Sequence, residues 1–158
     1  MADQPIDLRE RARNAIAHQP QRTVTVLSCL LAVEDALGFV PPEAVEEVAA
    51  RTATTVNDVW AVASFYTNFR FDPPGRHVVE VCWGPTCHLS GAQAVLERVQ
   101  QALGLEGEGD TPDGGVTLKY NTCVGACSQA PVIMVDHQPI GRVTPEAAAA
   151  FAAEAAAG

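Results

Sequence analysis

The chain has 158 residues, 47% of them apolar, and a formal net charge of −9. That is enough apolar material to pack one ordinary domain or two small ones. Its ten basic residues are scattered, which excludes the clustered Lys and Arg of a nucleic-acid surface.

The opening MADQPIDLRERARNAIAHQ has no apolar signal region, and no apolar run reaches the roughly 18 residues of a membrane span, so a cytoplasmic protein is expected. Leu8, Ala12, Ala15 and Ile16 follow helical spacing. A second, almost wholly apolar helix is predicted from about Thr23 to Leu37, with Gly38 as its stop. PPEAVEEVAART predicts a third, with Pro at its first turn and Ala44, Val45, Val48 and Ala49 inward. TVND resembles a capping box and starts a fourth at Thr55, ahead of VWAVASFY. FDPPGR, residues 71–76, breaks the pattern. A domain boundary is placed there: a helical bundle over 1–72 and a second domain over 73–158.

The second half alternates. HVVEVCW predicts a strand, and LSGAQAVLERVQQALG a helix with Ala92, Val95, Leu96, Val99 and Leu103 on one face. GEGDTPDGG reads as a loop, VTLKYNT and VIMVD as strands, and PIGRV as a partner for VIMVD across a short HQ turn. Thr144 and Pro145 start a final alanine-rich helix. The β-α-β-β-α order predicts an α+β chain whose second domain is a thioredoxin-like layer of sheet and helices.

Four of the five cysteines fall in two short segments, CWGPTC and CVGAC. Cys82 and Cys87 lie where a strand passes into a helix, and Cys123 and Cys127 lie in a loop between strands. If those strands are neighbours, the two loops open on one sheet edge and four thiolates meet, as a [2Fe-2S] cluster requires. Gly84, Gly125 and Ala126 would let the backbone approach such a group. Other readings are a Cys₄ zinc site, whose usual C-x₂-C knuckles are missing, and disulfides within each pair, rare in cytosol. A C-x-x-C redox dithiol and a plant-type ferredoxin spacing are absent, and a Rieske centre lacks its second histidine.

Cys29 reads as a small core residue and His88 as a helix-start residue. Phe65, Tyr66 and Phe69 suit either a core between the two halves or a subunit contact. Trp83 suits a shield over the cysteines, a partner contact, or a surface position without a role.

CWGPTCHLSGA, TPDGGVTL, CVGACSQAPVIMV and GRVTPE follow one another in the order and spacing of a known family, as do LGFVPPEAVEEVA and VWAVASFYTNFRFDPPGRHVVEVC. From about residue 20 onward the chain resembles the thioredoxin-like [2Fe-2S] subunit of the NADH dehydrogenase module of respiratory complex I. The same family includes the small subunits of NAD-dependent formate dehydrogenases and NAD-linked hydrogenases. The resemblance implies one [2Fe-2S] cluster per chain on Cys82, Cys87, Cys123 and Cys127. It implies electron transfer without catalysis by this chain alone. Flavin mononucleotide and NAD(H) would sit on a partner flavoprotein subunit, with further Fe–S or catalytic subunits in the complex, and any membrane association would be peripheral. A rival reading is an assembly module in which a cluster or zinc only holds the fold. Ala130–Pro131 suits the cis bond frequent in thioredoxin-like folds. Trp83, Pro85 and Tyr120 depart from the common form of the motifs and leave the four cysteines intact.

Overall fold

The computed structural model describes residues 7–158. The chain divides into two compact units on either side of the Pro73–Pro74 step.

The first unit is four helices: α1 (Leu8–Ala17), α2 (Val26–Leu37), α3 (Pro42–Thr52) and α4 (Val56–Phe65). Local chemistry fixes their ends. The α2 helix begins about three residues later than predicted, because Thr25 is its N-cap and forms a reciprocal capping box with Ser28. Gly38 closes it in the left-handed region at φ 79°. Thr55 and Asp58 form the same box on α4. Leu30, Val33, Val45, Val48, Val59 and Phe69 are in the core of this unit. Cys29 lies there too, fully buried, and burial pushes its thiol pKa up.

The second unit is a five-stranded sheet with its helices: β1 (His77–Cys82), α5 (Pro85–Leu89), α6 (Ala92–Leu103), β2 (Gly109–Asp110), β3 (Val116–Asn121), β4 (Val132–Val135), β5 (Gln138–Gly141) and α7 (Pro145–Ala157). The strand order is β2-β3-β1-β4-β5, with β1 parallel to β3 and antiparallel to β4. Val79, Val81, Leu118 and Ile133 of the sheet share one core with Val95, Val99, Ala148 and Ala152 of α6 and α7. Because strand side chains alternate, Glu80 and Cys82 project from the opposite face to Val79 and Val81.

Three details differ from the sequence reading. The predicted helix at LSGAQAVLERVQQALG is α6, starting at Ala92, and a short helix not read from the sequence, α5, precedes it; Gly91 at φ 98° separates the two. The GEGDTPDGG segment holds the two-residue strand β2. The β4–β5 hairpin turns at Asp136 and His137, one residue earlier than read, both at positive φ as a two-residue primed turn demands.

Candidate metal centre

The register explains why the two cysteine segments meet. Parallel β1 and β3 end together, with Cys82 opposite Asn121, and β4 starts at the same edge. The loops after β1 and between β3 and β4 therefore open side by side.

Cys82 is the last residue of β1, and Cys87 lies on α5, where Gly84 is the N-cap and Pro85 the first helical residue. Both are buried and pack with Ala92 and Val132. Cys123 and Cys127 are exposed. Cys127 opens a short 3-10 turn, Cys127–Gln129, braced by the Arg142 N–H donating to the Gln129 carbonyl at 2.6 Å. Ala130–Pro131 follows and is cis. Gly125 has φ 82°, a conformation open to glycine.

The sulfurs interact across the loops. The Cys82 thiol senses both Cys87 and Cys123, and Cys87 senses Cys82 and the charge of Cys127. Burial pushes the Cys82 thiol up. The backbone N–H groups of Val124 and Gly84, with Cys87 and Cys123, outweigh burial and hold it below the ordinary thiol value. Cys87 moves the other way: burial, then the bond to Cys82 and the charges of Cys82 and Cys127, raise it against donation by the Val132 N–H.

The loops also touch through backbone. A Cβ on Gly84 would stand 3.1 Å from the Thr122 carbonyl oxygen and 3.6 Å from the Cys123 sulfur. The Trp83 N–H donates to the Asn121 carbonyl at 2.8 Å. The Trp83 ring is half-buried, edge-on to His88 at 4.7 Å and stacked toward Tyr120 at 6.1 Å. It packs against both the sheet core and the buried group of Cys82, Cys87, Ala92 and Val132. His88 is the fourth residue of α5.

Among the described residues, no three or more Cys, His, Asp or Glu side chains close on a point that would hold a single metal ion. A two-iron group needs a wider set of sulfurs, since each iron takes its own thiolates. Four sulfur donors, glycine where the loops approach, and N–H groups aimed at sulfur suit such a group.

Sequence reading missed one contributor. The Asn121 side chain accepts the Cys123 N–H at 3.0 Å and donates to Glu80 at 2.7 Å. Asn in a strand carries no motif signal, and only the register brings it to both loops. Of the three aromatics left open in the helical half, Phe69 is buried in that unit's own core, whereas Phe65 and Tyr66 are exposed.

Residues 12–156 match the family described as thioredoxin-like [2Fe-2S] ferredoxin. An NADH-quinone oxidoreductase subunit of Aquifex aeolicus is 31% identical over 84% of this chain and 82% of its own length. NADH-quinone oxidoreductase subunit 2 of Thermus thermophilus is 36% identical, over 75% of this chain and 65% of its own. The NADP-reducing hydrogenase subunit HndA of Solidesulfovibrio fructosivorans is 32% identical over 80% of this chain and 74% of its own. A solved chain of an NAD+-reducing [NiFe]-hydrogenase superposes with a TM-score of 0.68 at 24% identity. That alignment covers 87% of this chain and 24% of the hydrogenase chain, and it supports the fold.

Proposed function

The chain belongs to the thioredoxin-like [2Fe-2S] ferredoxin family, and from that premise we propose that it is an electron-transfer subunit of an NAD(H)-dependent oxidoreductase complex. It holds one [2Fe-2S] cluster on Cys82, Cys87, Cys123 and Cys127. Its partner is a flavoprotein subunit that carries flavin mononucleotide and the NAD(H) site, beside further Fe–S or catalytic subunits. The domains are the helical bundle of residues 1–72 and the cluster domain of residues 73–158. The protein works in the cytoplasm, and it reaches the inner face of the membrane only through its complex. Among the described residues no helix is long and apolar enough to cross a membrane.

One observation carries this reading: the loop after Cys82 meets the loop holding Cys123 at one sheet edge, where a Cβ on Gly84 would stand 3.6 Å from the Cys123 sulfur, within a family-matched fold. When bound, the cluster supplies one-electron redox chemistry. The chain's residues supply the rest. Cys82 and Cys87, buried against Ala92 and Val132, keep water from the inner side. Cys123 and Cys127 leave the outer side open, which is where an electron would enter or leave. The Val124, Gly84 and Val132 N–H groups donate toward thiolate charge and so tune the potential. This chain supplies no general acid, base or nucleophile, and the flavoprotein partner handles hydride.

The test is iron and acid-labile sulfide on anaerobically purified protein, with an EPR spectrum after dithionite reduction. About two iron and two sulfide per chain with a rhombic S = ½ signal support the assignment. Zinc without sulfide, or folded protein free of metal, overturns it and leaves the assembly module.

A further inference from the structure

Asn121 grips both cysteine loops at once. It ends β3 directly opposite Cys82. Its backbone carbonyl accepts the Trp83 N–H at 2.8 Å, which pins the start of the first loop. Its side-chain Oδ1 accepts the Cys123 N–H at 3.0 Å, which pins the start of the second. Its Nδ2 donates to Glu80 Oε2 at 2.7 Å.

The Glu80 bond decides which way the amide faces. An ionised carboxylate only accepts, so it takes the NH₂ end and leaves the carbonyl end for Cys123. With the Cys123 N–H so engaged, the chain turns, and the next N–H, that of Val124, aims at the Cys82 sulfur. A single amide on the sheet thus sets both the position of Cys123 and a hydrogen bond to Cys82.

We propose that Asn121, oriented by Glu80, is the positioning residue of the cluster site, fixing Cys123 against Cys82 and aiming the Val124 N–H at sulfur. This rests on the four-cysteine reading above. An N–H donated to a ligand sulfur favours the more negative, reduced cluster. Losing it therefore lowers the midpoint potential.

The test uses the full chain with its cluster and three variants. Asn121→Val keeps a strand-forming residue and the backbone carbonyl to Trp83. It should lower the midpoint potential and speed cluster loss to a chelator by roughly tenfold or more, the usual cost of removing an outer partner of a metal ligand. Glu80→Gln can turn either end of its amide to Asn121 and no longer fixes its orientation, so it should show part of the same defect; wild-type behaviour overturns the role given to Glu80. The double variant Glu80→Val/Asn121→Val leaves no carboxylate to pair and should stay defective. Wild-type potential and loss rate in Asn121→Val, or their recovery in the double variant, overturns the proposal. Amide exchange at Cys123 in the metal-free chain decides the same point without a cluster: faster exchange in Asn121→Val supports it, and equal exchange overturns it. Wild-type protein that takes up no iron and sulfide defeats the four-cysteine reading instead, and the exchange result still judges Asn121.

Discussion

Gly84 and Thr122 meet backbone to backbone, with the Thr122 carbonyl oxygen 3.1 Å from where a Cβ on Gly84 would stand. Gly84 has φ −62°, which any residue adopts, so the need for glycine is steric and not conformational. A carbonyl in a hydrogen-bonded loop cannot swing aside as a side chain does.

Gly84→Ala is therefore expected to push the two cysteine loops apart. Overpacking of this kind costs about 1–3 kcal/mol. Thermal unfolding should occur at lower temperature, and iron content per chain should fall. A variant with unchanged melting and full iron would show that the loops tolerate separation.

Gly141 makes a tighter contact from the other side. A Cβ there would lie 2.4 Å from the Gln129 Cβ and 3.0 Å from its carbonyl oxygen. Gln129 closes the turn that Cys127 opens. Gly141→Ala is expected to displace that turn and destabilise the fold by about 1–3 kcal/mol. Gly107, whose added Cβ would meet nothing, is the control. Urea midpoints of the two variants measure the difference, and equal midpoints would contradict the packing argument.

At the far end of β1, His77 Nδ1 and Asp136 Oδ2 are 2.7 Å apart, and the Val78 N–H donates to Asp136 Oδ1 at 2.9 Å. Burial raises the Asp136 carboxyl, but the bonds from His77 and Val78 outweigh it and hold it below its ordinary value. A carboxyl depressed in the folded state stabilises above its unfolded pKa, near 3.9, and that contribution is lost as pH falls through the folded value. The side chain is 47% exposed, so the effect is small, under about 1 kcal/mol. Asp136→Asn should be less stable than wild type at neutral pH, and the gap should close below about pH 4. Denaturant midpoints across that range measure it, and parallel curves would rule the pair out as a source of acid sensitivity.

Where the sequence was legible, the signals were local. Gly38, Pro42, Thr55 and Thr144 mark helix ends through their own backbone and hydroxyl chemistry, and each stands where that chemistry puts it. The inward faces of α3 and α6 followed from apolar spacing alone. What escaped depends on neighbours distant in sequence. The β2 strand is two residues, too short to show a period, and exists because β3 pairs with it. Asp136 and His137 adopt positive φ without being glycine, because the β4–β5 register leaves two residues for the turn. Asn121 matters only once β3 lies beside β1. The four cysteines were visible as a set, whereas the split into a buried pair and an exposed pair came from packing against Ala92 and Val132.

That split makes a prediction for thiol chemistry in the metal-free chain. The thiolate is the nucleophile, so alkylation rate follows exposure and ionisation together. Cys123 and Cys127 are exposed and should be labelled first. Cys82 ionises more readily than Cys87 but is buried like it, so both should follow more slowly. Cys29 is fully buried with its pKa raised by that burial, and should react only when the helical unit unfolds. On the proposed assignment, Cys82, Cys87, Cys123 and Cys127 are bonded to iron when the cluster is bound, and none of the four should label under native conditions. Mass spectrometry after timed alkylation, with and without the cluster, separates these classes. Early labelling of Cys29 would contradict the helical core, and labelling of Cys123 at the same rate in both forms would remove it from the ligand set.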